Sequence, residues 1–150
     1  MTDLELQDAL IEELKKMDLK KIENDEWKDY RIHKQDEPYK EDEEEDGDYI
    51  IVMIDDEDTA EDGRWVVSIQ MILQIVDFDE KHDGNIILAN IMNQIDLHLR
   101  KKGIIAKKYQ MEKEAHKRFN HECPPSYYQS AYITKWKMPD IEMEGVKDLT

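Results

Sequence analysis

Asp79, Asp83 and Gly84 stand just ahead of an apolar segment, in the composition of a calcium-binding loop. Such a loop needs oxygen ligands at its first, third and fifth positions and a bidentate Glu at its twelfth. Counted from Asp79, the third position is Lys81 and the twelfth is Asn90. This spacing excludes a calcium loop of that type. We expect the Asp83-Gly84 pair to form a turn that begins a helix instead.

His116, His121 and Cys123 lie close together in the sequence and could be considered as zinc ligands. A structural zinc site takes four ligands, usually in two spaced pairs, and the chain has a single Cys. The same Cys123 as a nucleophile has no activating base or orienting group in a recognisable motif. We therefore expect a basic loop here. We also expect no metal, no cofactor and no catalytic residues, so that the chain is not an enzyme.

The carboxylates of this chain are grouped in runs, which favours a solvated surface over an acid–base pair. The net charge is −16, and residues 36–62 hold fifteen acidic residues against Lys40. We expect residues 36–48 to form a mobile acidic loop, because a run of like charges repels itself and buries nothing. Phosphate groups would be repelled as well, so direct nucleic-acid binding is not expected.

Residues 64–103 are the best-defined unit of the chain. Val67, Ile69, Met71, Leu73 and Ile75 alternate with more polar residues, which predicts a long half-covered β-strand over residues 64–76. Every fourth residue is then apolar, which predicts an amphipathic helix of about five turns. The apolar positions of that helix are Ile87, Ile91, Ile95 and Leu99. Gly103 follows a basic last turn and is suited to a left-handed cap.

The remaining elements complete an α+β pattern. Residues 2–17 predict a first helix with Glu13 on its polar face. Residues 49–54 predict a short strand that pairs antiparallel with the strand at 64–76, and residues 55–63 an acidic connection between the two. A last strand is predicted over residues 127–138, with its aromatic residues in the core, and residues 140–150 are expected to be a frayed tail. We therefore expect one domain: a mixed or antiparallel sheet of four to five strands, with two helices on one face.

Two charged segments are candidate protein-interface sites. The acidic one is part of the loop, and the basic one follows the second helix. Opposite signs on one chain allow copies to associate head to tail into a ring. The candidate residues are Glu41, Glu43, Glu44, Glu45 and Asp46 on the acidic side, and Lys101, Lys102, Lys107 and Lys108 on the basic side. Lys113, Lys117 and Arg118 extend the basic sector.

Four segments, taken in order, resemble the tail-completion proteins (tail terminators) of long-tailed phages and prophages of Gram-positive bacteria. The first segment is Asp48-Tyr49-Ile50-Ile51-Val52, and the second is Trp65 to Gln70 followed by Val76-Asp77. The third is Lys81-His82-Asp83-Gly84-Asn85 together with the predicted helix as far as Leu99. The fourth is Cys123 to Tyr128 followed by Thr134 to Ile141, which contains Trp136-x-x-Pro139. Together they cover residues 48–141. The order and spacing of the segments carry the resemblance. The chain departs from the family at Asp48-Tyr49, where the family often has a Pro, and in the extreme acidity of residues 41–46.

The resemblance implies a hexameric ring that caps the tail tube, stops its growth and presents a surface to the head connector. It implies self-association, a tail-tube protein and a head–tail connector as partners, and no catalysis. The expected location is the virion, after synthesis in the host cytoplasm, with no membrane association. An alternative from another class is an acidic adaptor, monomeric or dimeric, that binds a basic protein such as another neck component.

Overall fold

The computed structural model describes residues 3–17, 19–22, 25–26, 32–34, 48–76 and 84–139. Residues 36–47 of the predicted acidic loop, the turn at 77–83 and the tail at 140–150 lie outside the described residues. The elements are α1 (Asp3–Lys16), β1 (Lys20–Ile22), β2 (Asp25–Glu26), β3 (Ile32–Lys34), β4 (Tyr49–Thr59), β5 (Trp65–Val76), α2 (Gly84–Lys102), β6 (Ile104–Ile105), β7 (Tyr109–Asn120) and β8 (Tyr127–Lys137).

The main sheet has the strand order β3-β4-β5-β8-β7-β6, and β1 and β2 form a separate antiparallel pair. Strands β4, β5, β8 and β7 are successively antiparallel, whereas β3 runs parallel to β4. The pairing of β4 with β5 confirms the predicted antiparallel hairpin. Its turn uses Gly63, which has a φ of +83° and donates its amide to the Ala60 carbonyl at 2.9 Å.

Both helices pack on the same face of this sheet. The alternate residues of β5 that the sequence singled out, from Val67 to Ile75, are fully buried there, as are Tyr132 and Trp136 of β8. The apolar stripe of α2 and the leucines of α1 complete one core. An α+β fold with two helices on one side of the sheet is thus confirmed, and the short strands β3 and β6 extend the sheet at its two ends.

The end of α2 also follows the prediction. Gly103 has a φ of +68° and donates its amide to the Leu99 carbonyl at 2.8 Å, so a residue without a Cβ accommodates the left-handed cap. The chain then turns through Ala106 and Lys107, which have φ values of +54° and +62°. This tight connection places β6 beside β7.

Three local predictions are wrong. Residues 55–59 were expected to be a connection, but β4 continues to Thr59 because β5 pairs with it to the end. Residues 113–120 were expected to be irregular, but they belong to β7 and pair with β8. Glu13 was placed on the polar face of α1, but it is buried. In each case a partner distant in the sequence overrides the local preference.

Candidate interaction surfaces

Two of the four candidate interface lysines pair with acidic residues of α1 within the chain. Lys102 Nζ lies 2.6 Å from Glu13 Oε1, and Lys108 Nζ lies 2.8 Å from Glu5 Oε1. Lys101 and Lys107 are exposed. The acidic candidates Glu41, Glu43, Glu44, Glu45 and Asp46 lie outside the described residues. Carboxylates of α1 therefore neutralise part of the basic sector, and the positive charge that remains lies closer to β7.

The Glu13 carboxylate fastens α1 to α2. Its Oε1 also accepts a hydrogen bond from His98 Nε2 at 3.0 Å, and its side chain is 10% exposed. Burial opposes ionisation of this carboxyl group, but the hydrogen bonds from Lys102 and His98 outweigh it, and the pKa of Glu13 lies below its usual value. The ionised form is thus the one that the folded chain favours.

A second network fastens α2 to the sheet. Tyr132 Oη donates a hydrogen bond of 2.6 Å to Asp96 Oδ1, and Arg100 Nε contacts both Asp96 oxygens at 2.9 and 3.0 Å. Arg100 also donates from Nη1 to the Lys113 carbonyl at 3.1 Å, where β7 departs from regular pairing between Met111 and Ala115. Burial and Asp96 raise the pKa of Tyr132 far above its usual value, so the phenol remains a donor. This network fixes the position of β7 relative to the helix layer.

The end of β4 is an exposed acidic strand, which we call the acidic edge (residues 55–59). Strand β3 pairs with β4 at residues 50–52, and no described strand pairs with the acidic edge on that side. Its four carboxylates, from Asp55 to Asp58, are all exposed. Desolvation together with the neighbouring Asp3 and Asp56 raises the pKa of Glu57, which shows that negative charges crowd this strand end.

The corresponding feature at the opposite side of the sheet is the basic edge, residues 115–120 of β7. Strand β6 pairs with β7 at Tyr109 and Gln110, and no described strand pairs with the basic edge on its outer side. It carries His116, Lys117 and Arg118, all exposed. Among the described residues, the sheet thus has two edges of opposite charge, and a short strand pairs with only part of each.

The sheet face opposite the helices carries a polar row and a groove. Gln129 Nε2 donates to Gln74 Oε1 at 2.7 Å, Tyr49 Oη reaches the same oxygen at 3.2 Å, and Asn120 Nδ2 lies 3.4 Å from Gln129 Oε1. These side chains connect four neighbouring strands. The adjacent groove has a volume of about 500 Å³ and is bordered by Arg118. It lies beside the basic edge.

Neither edge was predicted from the sequence, although the length of the neighbouring strand indicated that each strand continues. The segment from Asp55 to Thr59 directly continues a strand, and the antiparallel partner is long enough to extend it. For β7, the charges from Lys113 to Arg118 hid a strand whose alternation is weak there, because residues 113–118 are exposed on both faces. The length of the partner strand was the informative feature in each case.

The residues first considered for metal binding or nucleophilic chemistry lie on or near the end of β7. His116 and His121 are exposed, and the Cys123 thiol donates to the Asn120 carbonyl at 3.7 Å. No group of three or more His, Cys, Asp or Glu within the described ranges is arranged to hold a metal ion. Neither of the two described helices is sufficiently long and apolar to cross a bilayer. The aromatic residues of β8 are part of the core, as predicted: Tyr132 and Trp136 are fully buried.

Comparison with models of known protein families finds none that matches this chain, and comparison with curated proteins likewise finds no match. Support for a function therefore comes from the sequence resemblance and from the geometry of the described surfaces.

Proposed function

We propose that this chain is a tail terminator: a structural protein of a long-tailed phage or prophage that assembles into a ring, caps the tail tube and joins it to the head connector. The observation that carries the proposal is where the resembling segments lie. They occupy β4, β5, α2 and β8, which are three neighbouring strands and the helix packed on them. The described parts of these segments, which are spread over residues 48–141, thus form one contiguous unit, as expected of a shared fold.

The distribution of charge supports an architectural role for that unit. Its core is apolar, and the charged residues lie at the periphery, on the acidic edge and on the basic edge. Copies of a chain with two different complementary surfaces form head-to-tail contacts, and such contacts close into a ring when the rotation between copies permits. In this role the protein is located in the virion, at the junction of tail and head.

The proposal is tested by tube growth. A tail-tube protein from the same phage or prophage is polymerised with and without this chain, and tube lengths are measured by negative-stain electron microscopy. We expect shorter tubes with ring-shaped density at one end. An unrelated protein of similar size and net charge is the control for nonspecific acidity. Tubes of unchanged length, without terminal density at any ratio of the two proteins, would contradict the proposal.

The second candidate function, an acidic adaptor, is favoured by one observation. The carboxylates of the acidic edge are exposed on a strand that has no described partner on its outer side, which suits a basic segment of another protein. The two functions differ in assembly state. An adaptor remains monomeric or dimeric with the tube protein present, whereas a terminator forms a larger ring, and light scattering after size exclusion separates these outcomes.

A further inference from the structure

We infer that copies of this chain associate by joining their sheets, with the acidic edge of one copy pairing against the basic edge of the next. This inference rests on the proposed ring and names the surfaces that form it. The joint proposed here does not use the acidic residues 41–46 and the lysines that follow α2, because two of those lysines already pair with α1.

The first support is the exposed state of both edges. All residues from Asp55 to Thr59 are exposed, and so are Ala115 to Arg118. A strand at the edge of a sheet presents unpaired backbone amides and carbonyls on its outer side, and these form a template for another strand. The two edges differ from each other, so the contact they make is heterologous, which is the kind that generates a ring.

The second support is charge. The acidic edge has the four carboxylates of residues 55–58, and their mutual repulsion is relieved when a cationic strand lies beside them. Lys117 and Arg118 supply two cations on the basic edge; Lys117 Nζ donates a hydrogen bond to Asn93 Oδ1, a neutral acceptor that does not cancel its charge. Two acidic edges or two basic edges brought together would repel, so the charges select the head-to-tail arrangement over a two-fold symmetric dimer.

The third support is strand direction. Because β4, β5, β8 and β7 alternate in direction, β4 and β7 run oppositely within one copy. Through the register of β5 and β8, the acidic edge lies level with residues 110–114 of β7, and the basic edge lies level with residues 49–54 of β4. The two edges therefore meet in a ring whose strands tilt away from its axis, and every copy keeps the same orientation relative to that axis. The β7 strand of one copy then meets the β4 strand of the next in antiparallel fashion, which is slightly more favourable per residue than parallel pairing.

The deciding experiment reverses each edge separately. One variant carries Lys117→Glu with Arg118→Glu, and the other carries Asp56→Lys with Asp58→Lys. The first variant places like charges across the joint and the second leaves residues 55–58 with no net charge, and we expect each to weaken self-association by about 100-fold or more in sedimentation velocity. An equimolar mixture of the two variants should recover assembly, because the introduced glutamates of one variant can then face the introduced lysines of the other, while the unaltered edges keep their opposite charges.

Matched controls change charge by the same amount elsewhere. Lys15→Glu with Lys16→Glu, on the exposed side of α1, is the control for the first variant, and Glu12→Lys with Glu61→Lys is the control for the second. Circular dichroism verifies that all variants fold. Recovery in the mixture also shows that neither variant is misfolded. A further readout is amide hydrogen exchange, which should slow at residues 55–59 and 115–120 on assembly.

Three outcomes would overturn the inference: a wild-type chain that remains monomeric at high concentration and low salt, assembly that is unaffected by both reversals, or a mixture that fails to recover. Neutralising the six acidic residues at 41–46 should leave assembly intact, and its loss would assign the contact to that run instead. The tube-growth assay separates the two proposals, because a chain that still shortens tubes despite edge reversal remains a terminator with a different joint.

Discussion

At the level of single residues, Glu13 shows how the chain uses a charge inside its core. A carboxylate removed from water is costly unless it is paired and hydrogen-bonded. Lys102 and His98 supply both, from successive turns of α2, at 2.6 and 3.0 Å. The lysine that looked available for a partner protein is therefore occupied in joining the two helices.

Replacing Glu13 with Gln should lower the free energy of unfolding by about 1–3 kcal/mol, because the Lys102 ammonium loses its anionic acceptor. Urea denaturation at neutral pH measures the change. The matched control is Glu12→Gln on the exposed side of the same helix turn, which should change stability by less than about 0.5 kcal/mol. Equal effects of the two substitutions would show that the buried pair contributes nothing specific.

At the level of elements, the start of α2 packs closely against β8. A Cβ built on Gly84 would lie 2.0 Å from Cδ2 and 2.2 Å from Cγ of Tyr128. These are ring atoms near the backbone, which have little freedom to withdraw. Gly84 therefore sets how closely the start of α2 approaches the sheet.

Gly84→Ala should destabilise the fold by about 1–3 kcal/mol, since overpacking outweighs the helix propensity that Ala gains over Gly. Thermal unfolding measures the loss. In a Tyr128→Ala background the same substitution should cost much less, because the ring it meets is absent. A cost that is the same in both backgrounds would contradict the steric explanation.

At the level of the whole molecule, carboxylates whose pKa values are lowered make the stability of the fold depend on pH. The hydrogen bond from Lys108 is the main cause that lowers the pKa of Glu5 from 4.5 to about 2, and those of Glu13 and Asp62 are lowered as well. A group with a lowered folded pKa stabilises the fold above its unfolded pKa, and this contribution is lost as the pH falls through the folded value. Glu57, whose pKa is raised, acts in the opposite direction.

Stability should therefore decrease as the pH falls from 4.5 towards 2, the interval between the usual and the folded pKa of Glu5. Urea titrations at several pH values across this interval measure the decrease. The Glu13→Gln variant should show a shallower decrease than the wild-type chain, because one of the titrating groups has been removed. A free energy of unfolding that is the same at both ends of the interval would contradict this assignment.

Much of the helix layer and the central sheet could be predicted from the sequence. The apolar residues of β5 and the stripe of α2 face one core, as their spacing indicated, and β8 buries its aromatic residues beside them. The spacing of apolar residues is sufficient there, because a helix or strand that is buried on one side has apolar residues at regular intervals along its sequence. The candidate surfaces were predicted less well, since an exposed strand and an exposed loop are both polar and differ only in their hydrogen-bonding partners.

The amino-acid sequence alone therefore determined the class of fold, the order of its main elements and the sign of each charged segment. Tertiary structure decided where those charges can act. It paired Lys102 and Lys108 with α1, and it extended β4 and β7 into charged strands at the two sides of the sheet. The burial of a helix or strand is visible in the spacing of its own apolar residues. An ion pair or a strand edge depends instead on a partner that is distant in the sequence, as Glu5 is from Lys108.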